Sequence, residues 1–171
     1  METPQPAAPL VVQKYGGTSL GDVERIRKVA SRIARTVEEG RQVAVTVSAM
    51  GRTTDQLISL AKEITPRPSR RELDVLMATG EQQSIALLTM SLQHLGIRAR
   101  SFTGVQAGFL TTDLFGSARI IEVDPARMLE ALLDHDVLIV AGFQGADVAG
   151  NITTLGRGGS DTTAVAVAAA L

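Results

Sequence analysis

Leu10-Val11-Val12-Gln13-Lys14-Tyr15-Gly16-Gly17-Thr18-Ser19 is the stretch that decides the fold. A short apolar run ends in a lysine, two glycines and two hydroxyls, and an amphipathic pattern follows. Strand, glycine turn and helix in that order open an α/β unit. The glycines let backbone N–H groups approach an anion, and the helix N-terminus adds partial positive charge. Lys14 supplies a full charge at the strand end. The turn suits phosphate, although no G-x-x-x-x-G-K-[ST] loop occurs anywhere in the chain.

Working outward, Val23, Ile26, Val29, Ala30, Ile33, Ala34 and Val37 recur at helical spacing, with charged residues between them and Gly40 as the stop. The run Val43 to Val47 then reads as a buried parallel strand. Strand, helix and strand within about 40 residues make a βαβ unit with a right-handed crossover. Further helices are expected over 57–64, 71–78, 81–95, 125–133 and 162–171, with an interruption at Thr79-Gly80. Strands are expected over 97–102, 120–123 and 137–141, the last followed by Gly142-Phe143-Gln144-Gly145 and an irregular turn to Gly150. The expected class is α/β: a three-layer α/β/α sandwich around a mainly parallel central sheet.

The proline-rich stretch 1–9 lacks a basic segment followed by an apolar one, so it reads as a disordered lead-in and not a signal peptide. No apolar stretch reaches the roughly 18 residues of a membrane helix, and the cytoplasm is the expected address. Among 171 residues, 44% are hydrophobic and 20% charged, which favours a globular chain over disorder. A net charge of −1 and an aromatic share of 3% leave little for nucleic acid to hold. The absence of cysteine excludes disulfides, thiolate metal sites and cysteine nucleophiles.

Four glycine- or hydroxyl-rich loops follow apolar strands or open helices: 14–19, 48–55, 142–145 and 156–161. In an open parallel sheet the carboxyl ends of the strands share one edge, so these loops should converge there. Lys14 can neutralise a phosphoryl group in transfer, or simply reach solvent. Arg157, between glycines, offers its fork to a carboxylate or phosphate, or sits on a surface turn. Ser160 and Asp161 open a helix, where capping alone would account for them. Glu81 stands at an expected helix start, where the dipole would account for it, or it receives an ammonium group. Thr53 and Thr54 read equally as caps. Gly17-Thr18-Ser19-Leu20-Gly21 satisfies the G-x-S-x-G pattern of hydrolases. The only histidines, His94 and His135, fall near helix ends away from the loop edge, which argues against a catalytic triad.

Taken together, KYGGTS at 14–19, VSAMG at 47–51, TGEQ at 79–82, GFQG at 142–145 and TLGRGGSD at 154–161 resemble the amino acid kinase family, and within it the aspartate kinases. The pieces occur in family order and span nearly the whole chain after the lead-in. The resemblance implies phosphorylation of the L-aspartate side-chain carboxylate by ATP with Mg²⁺, towards lysine, threonine and methionine. It implies Lys14 and Asp161 as catalytic residues, the lysine on the phosphoryl group and the aspartate organising it. Gly16, Gly17, Thr18, Ser19 and Ser48 would face the nucleotide phosphates. Thr53, Thr54, Glu81, Phe143, Arg157, Gly158, Gly159 and Ser160 would bind the acceptor, Glu81 taking its ammonium, Arg157 a carboxylate and Phe143 walling the pocket. No residue is assigned as a metal ligand. Residues 10–171 would be the N-terminal, aspartate-binding part of a catalytic domain, without the nucleotide-binding half or the regulatory ACT domains. A homo- or hetero-oligomer is implied for the longer enzyme. A carboxylate kinase acting on another acceptor such as glutamate, and a non-catalytic aspartate-binding fragment, are the alternatives.

Overall fold

The computed structural model describes residues 8–171, so most of the expected lead-in lies outside the described residues. The first sheet holds β1 (Leu10–Tyr15), β2 (Gln42–Val47), β6 (Val137–Ala141) and β3 (Ala99–Phe102) in that order. Every neighbouring pair is parallel. Side chains alternate across it. Val43, Val45, Val47, Ile139 and Ala141 point to one face, covered by Ile26, Val29 and Ile33 of α1 (Val23–Glu38) and by Ile85, Leu88 and Leu92 of α3 (Arg70–His94). Ala44, Leu138 and Val140 point to the other, covered by Met128 and Ala131 of α4 (Ala126–Leu132) and Val167 of α5 (Gly159–Ala170). Burial on both faces explains why the central strands read as continuous apolar runs instead of alternating ones. The expected three layers are present.

Two expectations change. The interruption at Thr79-Gly80 is absent, and α3 runs unbroken for 25 residues. A glycine there costs about 1 kcal/mol of helix propensity. It is needed because a Cβ on Gly80 would lie 2.8 Å from the Ala49 Cβ, so the glycine marks a close approach and not a stop. The irregular turn after Gly142 holds β7 (Gln144–Ala146), which pairs antiparallel with β8 (Ile152–Thr154). These two join β4 (Phe109–Thr111) and β5 (Ile120–Val123) in a second, mixed sheet of order β5-β4-β7-β8. Among the described residues no helix is long and apolar enough to cross a membrane.

Candidate functional site

The four loops do converge. They meet at the carboxyl edge of the first sheet around a cavity of about 470 Å³, which Lys14, Ser48, Thr54, Phe143 and residues 156–161 line. The helix α3 closes one wall with Met77 and Glu81.

Lys14 is the last residue but one of β1, and its Nζ lies 2.8 Å from Asp161 Oδ1 on the first turn of α5. The side chains are 30% and 71% exposed, so the pair contributes little to stability and its consequence is placement of the ammonium. A Cβ on Gly16 would come within 3.4 Å of that same Nζ. Gly17 stitches two loops together: its carbonyl accepts the Gly51 N–H at 2.9 Å, and a Cβ there would sit 2.6 Å from the Ala49 carbonyl oxygen. Ser48 follows β2 and donates its N–H to the Tyr15 carbonyl at 3.1 Å. A backbone cradle next to a lysine suits phosphate oxygens.

The capping explanations do not hold. The N-cap of α5 is Gly158, in a left-handed conformation at φ 77°, and no side chain caps the helix. Asp161 is engaged with Lys14 instead. The helix α2 (Thr53–Ile64) likewise has no side-chain cap, its N-cap being Arg52. Thr54 faces the cavity, whereas Thr53 packs beside Gly80 and does not line it. Thr18 and Ser19 also lie off the cavity, in the single 3₁₀ turn Gly17–Leu20, where the Thr18 carbonyl accepts a bond from Arg25 Nη1 at 2.6 Å. Neither Ser19 nor a histidine lines the cavity, so the G-x-S-x-G match brings no nucleophile–histidine pair to it.

Glu81 sits in the middle of α3, so a helix-start dipole does not account for it. It is 3% exposed. Oε1 accepts the Ala49 N–H at 3.0 Å, while Oε2 is buried without a hydrogen-bond partner. Burial pushes its carboxyl up to about 7, against the pull of the Ala49 N–H. A buried acid with one unused oxygen beside a cavity can accept a hydrogen bond from a cationic donor.

Phe143 adopts φ 68°, which in a bulky residue costs about 1–3 kcal/mol and persists only where surroundings enforce it. Its N–H donates to Thr163 Oγ1 at 3.1 Å, and its carbonyl accepts the Leu155 N–H at 2.9 Å. A Cβ on Gly159 would lie 2.9 Å from the Phe143 ring, so the glycine makes room for it. Arg157 lines the cavity and forms no ion pair among the described residues. Asp55, Ile58, Met77, Gly116 and Gly156 also line it, and the sequence reading missed them as site residues. Met77 was accessible to it, four residues before Glu81 on the same helix face. Gly116 carried no signal, because only the tertiary fold brings its loop here.

Among the described residues no three His, Asp or Glu side chains gather as a metal cage. Asp55 and Asp161 line the cavity as carboxylates, and a magnesium ion brought by nucleotide phosphates would need only one or two of them, with phosphate and water supplying the rest.

The sequence pattern of the amino acid kinase family matches residues 9–171. The chain belongs to the amino acid kinase family. Over 162 residues this family member is 62% identical to the aspartokinase of Thermus thermophilus and 57% identical to that of Geobacillus stearothermophilus. Each match covers 95% of this chain and 40% of the relative, so the chain spans about 40% of the length of these curated relatives. Among solved structures it is similar to the aspartate kinase from Synechocystis, with TM-score 0.79 and 51% identity over 94% of this chain and 26% of that one. It also resembles E. coli aspartokinase III in complex with aspartate and ADP, with TM-score 0.81 and 25% identity over 95% of this chain and 46% of the other.

Proposed function

We propose that this chain carries the acceptor-binding and phosphate-facing part of an aspartate kinase. The longer enzyme transfers the γ-phosphoryl group of ATP to the side-chain carboxylate of L-aspartate, giving 4-phospho-L-aspartate on the way to lysine, threonine and methionine. The observation that carries the reading is Glu81, which has a buried, unpartnered Oε2 and lines the cavity that also holds Arg157 and the Lys14–Asp161 pair. An amino acid with a carboxylate needs both an anion for its ammonium and a cation for its carboxylate, and this cavity offers Glu81 and Arg157. The E. coli relative that holds aspartate and ADP supports the same pairing of ligands.

On this reading Glu81 takes the substrate ammonium and Arg157 a substrate carboxylate. Thr54 and Ser160 add hydrogen bonds, with Phe143 walling the pocket. Lys14, held by Asp161, neutralises charge on the phosphoryl group in transfer. The amides around Gly16, Gly17 and Ser48 face the phosphates, and Mg²⁺ supplies further charge neutralisation when nucleotide is bound. Thr18 and Ser19 contribute through the turn that shapes this cradle. Thr53 keeps α2 against Gly80, so that its neighbour Thr54 reaches the acceptor. Assembly as an oligomer belongs to the longer enzyme.

The test is calorimetric titration of the folded chain with L-aspartate, L-glutamate and ATP–Mg²⁺ in buffers of different ionisation enthalpy. L-aspartate is expected to bind in preference to L-glutamate. It should release about half a proton at pH 7, because an ammonium partner ionises Glu81. Equal or tighter binding of L-glutamate would transfer the chain to another carboxylate kinase. Failure to bind either would remove the acceptor site from these residues.

A further inference from the structure

The helix α3 carries a second buried carboxylate on the same face as Glu81. Asp74 lies two helical turns earlier, about 10 Å along the axis. It is 1% exposed and forms no ion pair among the described residues. Its partners are three donors from distant segments. Oδ2 accepts the Gly116 N–H at 2.9 Å and the Thr154 N–H at 2.8 Å, and Oδ1 accepts from Thr154 Oγ1 at 2.9 Å.

Those donors stand at the roots of the far wall. Gly116 lines the cavity directly, and Thr154 is the last residue of β8, just before the segment that presents Arg157. Two turns further on, the same helix face holds the Ala49 N–H through Glu81 Oε1. The helix thus spans the site as a strut with one carboxylate fixing each wall.

We infer that Asp74 is a positioning residue, which fixes the Gly116 loop and the root of the Arg157 segment against α3 and so sets their place relative to Glu81. Its consequence for substrate affinity rests on the acceptor-site reading above. All three of its bonds can be reproduced by asparagine. The side-chain oxygen would accept both N–H groups, and the amide would donate to Thr154 Oγ1, the buried hydroxyl giving up Oδ1 as its own acceptor in exchange. The role therefore needs the bonds and not the charge.

The test compares Asp74→Asn, Asp74→Ala and Thr154→Val by hydrogen exchange on the unliganded chain, followed by L-aspartate titration. In Asp74→Ala the amides of Gly116 and Thr154 should exchange at least about tenfold faster. The amides of Ala49 and Gly142, held by Glu81 and by the Val47 carbonyl, should keep the wild-type rate. Aspartate affinity should fall about tenfold in the alanine variant and stay within about twofold in Asp74→Asn. Uniformly faster exchange, unchanged exchange at Gly116 and Thr154, or an asparagine variant that behaves like alanine would overturn the inference. So would wild-type affinity for aspartate in an alanine variant whose wall has loosened. If the alanine variant does not fold, Thr154→Val decides: faster exchange confined to residue 154 and its neighbours supports the strut, and none overturns it. A wild-type chain that binds no aspartate would sink the acceptor reading, while the exchange pattern would still decide the role of Asp74.

Discussion

Glu81 concentrates the chemistry of the site in one side chain, and its protonation couples that chemistry to stability. Its carboxyl titrates at about 7 in the folded chain against an ordinary 4.5. Between those values the folded state holds more protons than the unfolded one, so stability falls as pH rises. The contribution is fully present below about pH 4.5 and is lost as pH passes 7, a difference of about 3 kcal/mol. Glu81→Gln cannot titrate. Urea unfolding at pH 4.5 and pH 8 should therefore show the wild type losing about 3 kcal/mol more than the variant across that interval. Equal losses would mean that Glu81 ionises freely in the folded state. The residue type and its place in TGEQ were legible in the sequence, but its burial was not. Burial depends on Ala49 and α3 meeting, which a local pattern does not encode.

At the scale of the element, α3 shows where sequence reading stops. A glycine followed by a glutamate after an apolar pattern reads as one helix ending and another beginning, because glycine weakens helices and acids favour first turns. The observed continuity comes from packing. Gly80 is the point at which the helix backbone presses on Ala49, and that contact lets Glu81 reach the Ala49 N–H. Gly80→Ala sets two effects against each other. Better propensity favours the variant by about 1 kcal/mol. Forcing a methyl group to within 2.8 Å of the Ala49 Cβ costs more, because a tightly packed site gives way only by moving backbone or neighbours. Denaturant unfolding should find the variant less stable by about 1–2 kcal/mol. The double variant with Ala49→Gly should recover most of the loss, because the clash needs both methyl groups. If Gly80→Ala proves as stable as the wild type, the close approach is not what holds the glycine there. The short strands β4, β7 and β8 were illegible for a different reason. Each has three residues, too few to display a period of two.

At the scale of the molecule, the convergence of loops along one edge was readable because parallel topology dictates it once the strands are assigned. The second sheet was not, yet it holds β8 and through it the root of the Arg157 segment. The cavity is thus lined from β1, the loop after β2, α2, α3 and the start of α5, with its far wall set by the second sheet. No single βαβ unit contains it, so the proposed acceptor amino acid would bind the folded whole and have nothing to bind in the unfolded chain. Binding must then appear as stability. At one hundred times its dissociation constant, L-aspartate should raise the free energy of unfolding by about 2.7 kcal/mol. For a domain of this size that moves the thermal midpoint up by about 5–10 °C. N-acetyl-L-aspartate, which has no ammonium for Glu81, should give little shift. In Arg157→Ala the shift at the same ligand concentration should fall by about half or more, because a charge-assisted bond worth about 1.5–3 kcal/mol is lost. Lys14→Ala should keep it, because the proposed function sets that ammonium on the phosphoryl group and not on the acceptor. Differential scanning calorimetry on the three chains reads all of this. A shift that survives Arg157→Ala and fails in Lys14→Ala would exchange the two roles, placing the acceptor carboxylate on the lysine.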